Sequence, residues 1–285
     1  MHIKYINCDN CSSVENEDVK ALEFRVQKIT LKHDNASVGK IIKAIKEKAD
    51  MVKFNPADSS GQARTKQELY LKSFMGLLIE EVCFQVLSKH NASKNILIVP
   101  DKGNTSKDQV DIKILKKWRD DAGETKESEF EIEIRSSFPF KNIESVVCSE
   151  FDVLGPYVND TKKYENAKDF YLRFLFALDY RAENYIYGNN NKINYNKTTT
   201  QTLAVDYFDD LFCLKKDLVI YFVGGATKSM MFDESLSYIG DMKSDSFNQQ
   251  GEGKYRKIKL KNSLDSISIL RLILGVVGDE STKGK

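Results

Sequence analysis

Residues 129–137 alternate acidic and apolar side chains, and this stretch constrains the fold more than any other part of the chain. The period-2 pattern is typical of a β-strand with one buried and one free face. It places Ile132 and Ile134 in the core. The opposite face carries a charged row: Glu131, Glu133 and Arg135. Like charges about 7 Å apart on one strand face are unfavourable unless a cation or a phosphate neutralises them, so we place the candidate chemistry in this row.

A second strand is predicted at residues 109–115, just before this one. Its alternation puts Asp111 and Lys113 on one face and Val110, Ile112 and Ile114 on the other. The polar connection 119–128 lets the two strands pair as antiparallel neighbours. That pairing would bring Asp111 beside Glu131 or Glu133.

A long helix is predicted at residues 63–89, upstream of both strands. It is apolar over much of its circumference, which indicates a central, buried helix. Glu80 and Glu81 stand in the middle of the apolar run. Since buried carboxylates need partners, at least one of them faces a polar site, unless both reach solvent along a gap in the helix.

The one dense basic segment is 253–261, where Lys or Arg alternates with Tyr, Ile and Leu. It predicts a strand on the surface, and two interpretations are equally good. The strand binds a phosphate backbone, or it is a sheet edge protected by lysine. The candidate phosphate contacts in this segment are Lys254, Arg256, Lys257 and Lys259.

A fifth candidate phosphate contact, Lys228, follows a buried strand that runs into Gly224 and Gly225. Glycines before a helix start can present backbone N–H groups to a phosphate, but they also simply allow a strand to turn into a helix. The spacing GxxxxGK[ST] is absent, which argues against a nucleoside-triphosphatase.

The composition narrows the class of protein. The 285 residues are 41% apolar and 30% charged with a net charge of +1, so any basic footprint must be local. The apolar runs are too short to span a bilayer, and five scattered cysteines favour a reducing cytoplasm, so we expect a cytoplasmic protein without a membrane partner. A nucleophile–histidine arrangement typical of small-molecule hydrolases is missing.

The order of a helix with Glu80, a strand with Asp111, a hairpin and a strand with Glu133-Ile134-Arg135 resembles the PD-(D/E)xK nuclease superfamily over residues 63–140. In that family an aspartate at a strand start and a (D/E)xK tripeptide hold one or two Mg²⁺ ions. A helix glutamate often assists. The resemblance implies Asp111 and Glu133 as metal ligands, with Glu80, Asp111, Glu133 and Arg135 as catalytic residues. Gly76 precedes Glu80 by four residues, as in the family's helix motif, so Glu80 is preferred over Glu81.

The resemblance also implies an α/β fold, a restriction-endonuclease-like core with a central mixed sheet flanked by helices. Residues 62–285 would form this domain, with DNA-contact elements near its C-terminus, and 1–61 an N-terminal extension. The implied activity is Mg²⁺-dependent cleavage of double-stranded DNA, with Mn²⁺ as a substitute. The protein would be a type II restriction enzyme or another prokaryotic defence nuclease, acting as a homodimer or with a defence-system partner.

Arg135 is a departure, because the family has lysine there and arginine cannot act as a base. Three explanations compete: a working variant, a lysine donated from elsewhere with Lys113 the nearest, or an inactive fold that still binds DNA. The alternative function is therefore a non-enzymatic subunit that binds DNA or protein, with the charged row as a structural ion-pair row.

Overall fold

A seven-stranded mixed sheet forms the centre of the protein. The structure is a computed structural model and describes residues 1–8, 24–51, 66–100, 110–119, 121–137, 152–158, 166–177, 217–241 and 254–275. The strands of this sheet are β1 (His2–Cys8), β2 (Phe24–Leu31), β3 (Ile96–Pro100), β4 (Ile112–Arg119), β5 (Thr125–Ser137), β7 (Phe170–Ala177) and β8 (Leu218–Thr227). A smaller sheet consists of β6 (Asp152–Val158), β9 (Ser237–Asp241) and β10 (Lys254–Lys259).

The strand order in the large sheet is β1-β2-β8-β7-β5-β4-β3. Neighbours are antiparallel except β5 and β7, which run parallel. The helices are α1 (Ala36–Met51), α2 (Lys66–His90), the single turn α3 (Lys228–Met231) and α4 (Ser266–Leu274). The prediction of an α/β protein with a large mixed sheet flanked by helices is thus confirmed. β1 and β2, which come from the predicted N-terminal extension, join the same sheet through β8.

The β4–β5 hairpin forms as the alternation predicts. Ile112 pairs with Ile132 in an antiparallel register, and Ile114 pairs with Phe130. Ile112, Ile114 and Ile132 are fully buried in the core, because their shared face of the hairpin packs beneath the helices.

The helices cover this face of the large sheet, which we call the helix face. Residues of α1, α2 and α4 share one apolar cluster with the inward side chains of β2, β4, β5, β7 and β8. The long helix is present as predicted. Asp265 caps α4 by accepting a hydrogen bond from the Ser268 N–H, 2.6 Å away, and Gly275 ends it with φ +64°. None of the helices in the described ranges is long and apolar enough to cross a membrane.

The small sheet packs on the other face, which we call the strand face, through a second apolar cluster. Its strand order is β6-β10-β9, so β10 is the central strand and is paired on both sides. The interpretation of the basic segment as an edge strand is therefore wrong. Alternation of lysine with apolar residues describes an edge and a charged internal strand equally well, and long-range pairing decides between them.

The two glycines at the end of β8 serve close packing. Gly225 exchanges two backbone hydrogen bonds with Leu264, each 2.9 Å long. A Cβ atom on Gly224, where φ is +130°, would lie 2.1 Å from the Leu264 carbonyl oxygen. The Gly225 N–H is thereby committed to Leu264 and is not available to a phosphate.

Candidate metal centre

Asp111 sits at the start of β4 and is held against the middle of β5. Its backbone N–H donates to the Ile132 carbonyl at 3.2 Å, and its Oδ2 accepts from the Ile134 N–H at 2.6 Å. These contacts lie on either side of Glu133 in the chain. The carboxylate therefore lies against the segment that carries the second acidic residue of the predicted metal pair, and the side-chain hydrogen bond fixes its orientation.

Glu133 is 4% exposed and forms an ion pair with the Arg135 guanidinium. Arg135 also lies over the ring of Tyr255 in β10, with its guanidinium carbon 6.0 Å from the ring centroid. A carboxylate removed from water needs a counter-charge, and Arg135 supplies one here. The charged row therefore lies partly beneath the small sheet.

The charges of Glu80 in α2 and of Asp111 both act on the Cys83 thiol. This thiol is fully buried, and burial raises its pKa well above the ordinary value, with the charges of Asp111 and Glu80 adding to the shift. Glu81 instead accepts a hydrogen bond from the Gln85 amide at 2.8 Å. Of the two helix glutamates, Glu80 is the one whose charge acts on the same thiol as the charge of Asp111.

Lys168 is a neighbour of the charged row that sequence reasoning missed. Its Nζ lies 3.3 Å from Glu131 Oε2, and the side chain is 1% exposed. The Lys168 N–H donates to the Tyr171 hydroxyl at 2.8 Å, which anchors the residue just before β7. Lys113, the lysine expected from sequence, pairs with Glu129 at 2.5 Å. The parallel β5–β7 pairing brings Lys168 here, and no local pattern in the sequence signals it.

A second guanidinium, that of Arg173, lies deeper between the two sheets. Arg173 is 3% exposed and donates from Nη2 to the Ser137 hydroxyl at 2.5 Å. Its pKa is lowered from 12.5 to about 9, chiefly by burial, while the Asp152 charge opposes the shift and the nearby Arg135 charge adds to it. Arginine resists deprotonation, and its lowered pKa indicates that little water reaches the Arg173 guanidinium.

The five predicted phosphate contacts do not form one row. Lys228 and Lys254 are exposed, and Lys259 is half-buried. Arg256 packs on the Phe232 ring, 4.9 Å from its centroid. Lys257 is 5% exposed and pairs with Asp152 at 3.4 Å. Its ammonium is therefore directed inward, which argues against the predicted phosphate contact at this residue.

Whether a metal ion can bind near Asp111 and Glu133 depends on the ligand atoms that the side chains offer. Within the described residues, no group of three or more His, Cys, Asp or Glu side chains is arranged to hold a metal ion. Mg²⁺ nevertheless keeps several waters and commonly uses one or two carboxylates. Asp111 and Glu133 are hard oxygen donors of this kind, so their donor chemistry suits Mg²⁺ or Mn²⁺.

One curated protein is similar to this chain, the "Uncharacterized protein MJECS01" of Methanocaldococcus jannaschii. The two are 30% identical over 207 residues, which is 66% of this chain and 65% of the relative. The chain therefore covers less than two thirds of that relative, whose name assigns no activity. No protein-family model matches the chain, and no solved structure matches it.

Proposed function

We propose that the protein is a metal-dependent deoxyribonuclease with a restriction-endonuclease-like core. The observation that carries the proposal is the pair of hydrogen bonds that holds Asp111 against Ile132 and Ile134, on both sides of Glu133. The charges of Asp111 and of Glu80, a third carboxylate from a separate element, both act on the Cys83 thiol, which is in keeping with the proposal. The order of helix, strand, hairpin and strand is the one that the family resemblance implies.

The chemistry of phosphodiester cleavage explains why these residue types would be needed. Asp111 and Glu133 would hold Mg²⁺, which when bound polarises the phosphate and lowers the pKa of a coordinated water. Arg135 would stabilise the negative charge that develops on the phosphate, since its guanidinium stays protonated. Asp111 is oriented for this role by the Ile134 N–H.

The missing family lysine has a structural candidate in Lys168. Its buried ammonium contacts Glu131, whereas the Lys113 ammonium is engaged by the more exposed Glu129. A lysine in a dry site is a compact charge that can orient water or stabilise a leaving group. We therefore extend the proposal to Lys168 as the lysine that acts beside Arg135.

A second candidate function is supported by the ion pair between Glu133 and Arg135. The pair is already complete in the protein alone, and it lies between the two sheets near Tyr255. A structural pair of this kind would suit a non-enzymatic subunit that binds DNA or a protein partner. Such a subunit would gain no activity from a metal ion.

The test is incubation of the purified protein with plasmid and phage DNA in Mg²⁺, in Mn²⁺ and in EDTA. Discrete fragments that disappear in EDTA and in Asp111→Asn would support the nuclease. Asparagine can still accept the Ile134 hydrogen bond, so the fold is retained. Asp34→Asn, in an exposed turn, is the matched control and should cut normally. No cleavage in either metal, with a salt-sensitive gel shift, would favour the binding subunit.

Two further variants test the roles of Lys168 and Arg135 separately. Lys168→Met should abolish cleavage if Lys168 acts in the reaction, and Arg135→Lys should preserve or raise it if Arg135 occupies the family's lysine position. Full activity in Lys168→Met would assign the role to Arg135 alone. Circular dichroism and thermal unfolding of each variant would distinguish a lost fold from a lost reaction.

A further inference from the structure

A separate cavity of about 190 Å³ lies on the helix face, between α4 and the first two strands. Tyr5 of β1 and Gln27 of β2 lie opposite each other in the sheet and line one side. His90, at the end of α2, lines another side. The apolar wall belongs to α4 and consists of Ile267, Leu270 and Leu274.

Gln27 is the unexplained group in this cavity. The residue is fully buried, yet within the described ranges neither its amide nitrogen nor its amide oxygen has a hydrogen-bond partner. The same holds for the buried Nε2 of His90. A buried amide without partners destabilises a protein, and such groups in native structures mark bound water or a bound ligand. The wall of the cavity therefore carries the Gln27 amide, whose N–H donor and oxygen acceptor lie side by side and could pair with a ligand that has an adjacent acceptor and donor.

The mouth of the cavity is positively charged. Arg271 lines it and is exposed. Burial lowers the pKa of His90, and the Lys89 charge adds to that shift, so Lys89 lies close to the imidazole. Burial raises the pKa of Tyr5 and the Arg25 charge opposes the shift, while the Arg25 guanidinium pairs with Asp265 at 3.3 Å. Arg271 therefore supplies an exposed positive charge beside the cavity.

We propose that this cavity binds an adenine nucleotide, with the base inside on Gln27 and the phosphate at the mouth. A glutamine amide matches the adjacent donor and acceptor on the adenine edge, the pairing that proteins use to read adenine. The flat ring would lie between the Tyr5 phenol and the aliphatic side chains of α4. Arg271 would contact the phosphate.

The size of the cavity agrees with a ligand that has one buried ring system. Its volume is below the range of about 300–1,000 Å³ that is common for drug-sized ligands. A nucleobase would fill the interior while the sugar and phosphate remain at the opening. The ligand could be a free mononucleotide or an unstacked adenine in a nucleic-acid strand, since both present the same edge. The site is independent of the proposed cleavage, because it uses none of the residues of the metal centre.

Calorimetric titration of the full chain with AMP, adenosine, ribose 5-phosphate and a short single-stranded oligo(dA) tests the proposal. Saturable binding of AMP that is stronger than that of adenosine or ribose 5-phosphate identifies the free nucleotide. Binding of oligo(dA) without AMP identifies a base within a strand. The absence of binding by all four probes at millimolar concentrations overturns the proposal and leaves the cavity to ordered water.

Variants assign any binding to this cavity. Gln27→Met removes the amide at nearly constant length and should weaken AMP or oligo(dA) binding roughly tenfold or more. Arg271→Gln, on the surface, should weaken the phosphate-bearing probes only, and Arg119→Gln on β4 is the matched control. Unchanged affinity in both Gln27→Met and Arg271→Gln places the ligand elsewhere and overturns the proposal. Asp111→Asn should bind AMP or oligo(dA) normally. A failure of the nucleotide-binding proposal can therefore be distinguished from a failure of the proposed nuclease activity.

Discussion

The two faces of the large sheet are built from different chemistry. The helix face is packed with aliphatic and aromatic side chains of three helices and five strands, with Gln27 as a polar exception. The strand face also buries an apolar cluster. On this face, however, charged groups lie beneath or beside the small sheet. Among the described residues, five charged ones are buried: Glu133, Lys168, Arg173 and Lys257, and Asp265, which caps α4.

This difference indicates where the proposed cleavage chemistry would lie. Replacing buried ion pairs by apolar residues of similar volume is often neutral or stabilising, so such pairs are weak evidence for a stabilising role. The helix face has the composition expected of a core that stabilises the fold. The strand face keeps charges at an energetic cost, and the carboxylates Asp111 and Glu133 lie at its border. We therefore expect substitutions on the helix face to affect stability and those at the charged row to affect activity.

The largest stability effect is expected on the helix face, for Phe222→Ala. The fully buried ring stacks on Phe174 with their centroids 4.6 Å apart, so truncation leaves a cavity. We expect a loss of about 3–5 kcal/mol in the free energy of unfolding, measured by urea denaturation. Leu272→Ala on α4, where the side chain is 49% exposed, is the control and should lose no more than about 0.5 kcal/mol. Similar losses in both variants would contradict the claim that the buried side chains of the helix face stabilise the fold.

A smaller loss is expected for Glu133→Gln on the strand face. It leaves the Arg135 guanidinium without its carboxylate, and because Arg135 is only 25% exposed we expect a loss of about 1–3 kcal/mol. The double variant Glu133→Gln, Arg135→Gln should recover part of it. Recovery in a double-mutant cycle would show that Glu133 and Arg135 are energetically coupled as an ion pair. A double variant that is less stable than the sum of the single ones would contradict this.

The smallest effect is expected at an exposed pair, where water screens the charges. Asp217 accepts from Lys32 at 2.6 Å and from the His33 ring at 3.0 Å, and the hydrogen bond from Lys32 chiefly lowers the pKa of its carboxyl from 3.8 to about 2. Its stabilisation is therefore present above about pH 3.8 and is lost as the pH falls toward 2. Asp217→Asn should cost roughly 0.2–1 kcal/mol at pH 7. The difference from wild type in thermal unfolding should vanish near the lower pH, and a constant difference would contradict the assignment.

Local patterns predicted the hairpin but not its surroundings. The alternation in 109–115 and 129–137 fixes which residues of β4 and β5 face the core, because the side-chain period of a strand is two. Lys168 and Arg173 reach the charged row only through the parallel β5–β7 pairing, which joins segments far apart in sequence. The central position of β10 likewise depends on its pairing with β6, about 100 residues earlier in the chain. Long-range pairings of this kind leave no local signal.

The most direct test of the central claim is a titration of the protein with Mn²⁺, with free Mn²⁺ followed by electron paramagnetic resonance. We predict one saturable site, competed by Mg²⁺ and weakened at least about tenfold in Asp111→Asn, but unchanged in Asp34→Asn. Equal binding in wild type and Asp111→Asn, or none in either, would contradict a metal centre at Asp111 and Glu133. The charged row would then be a structural feature between the two sheets.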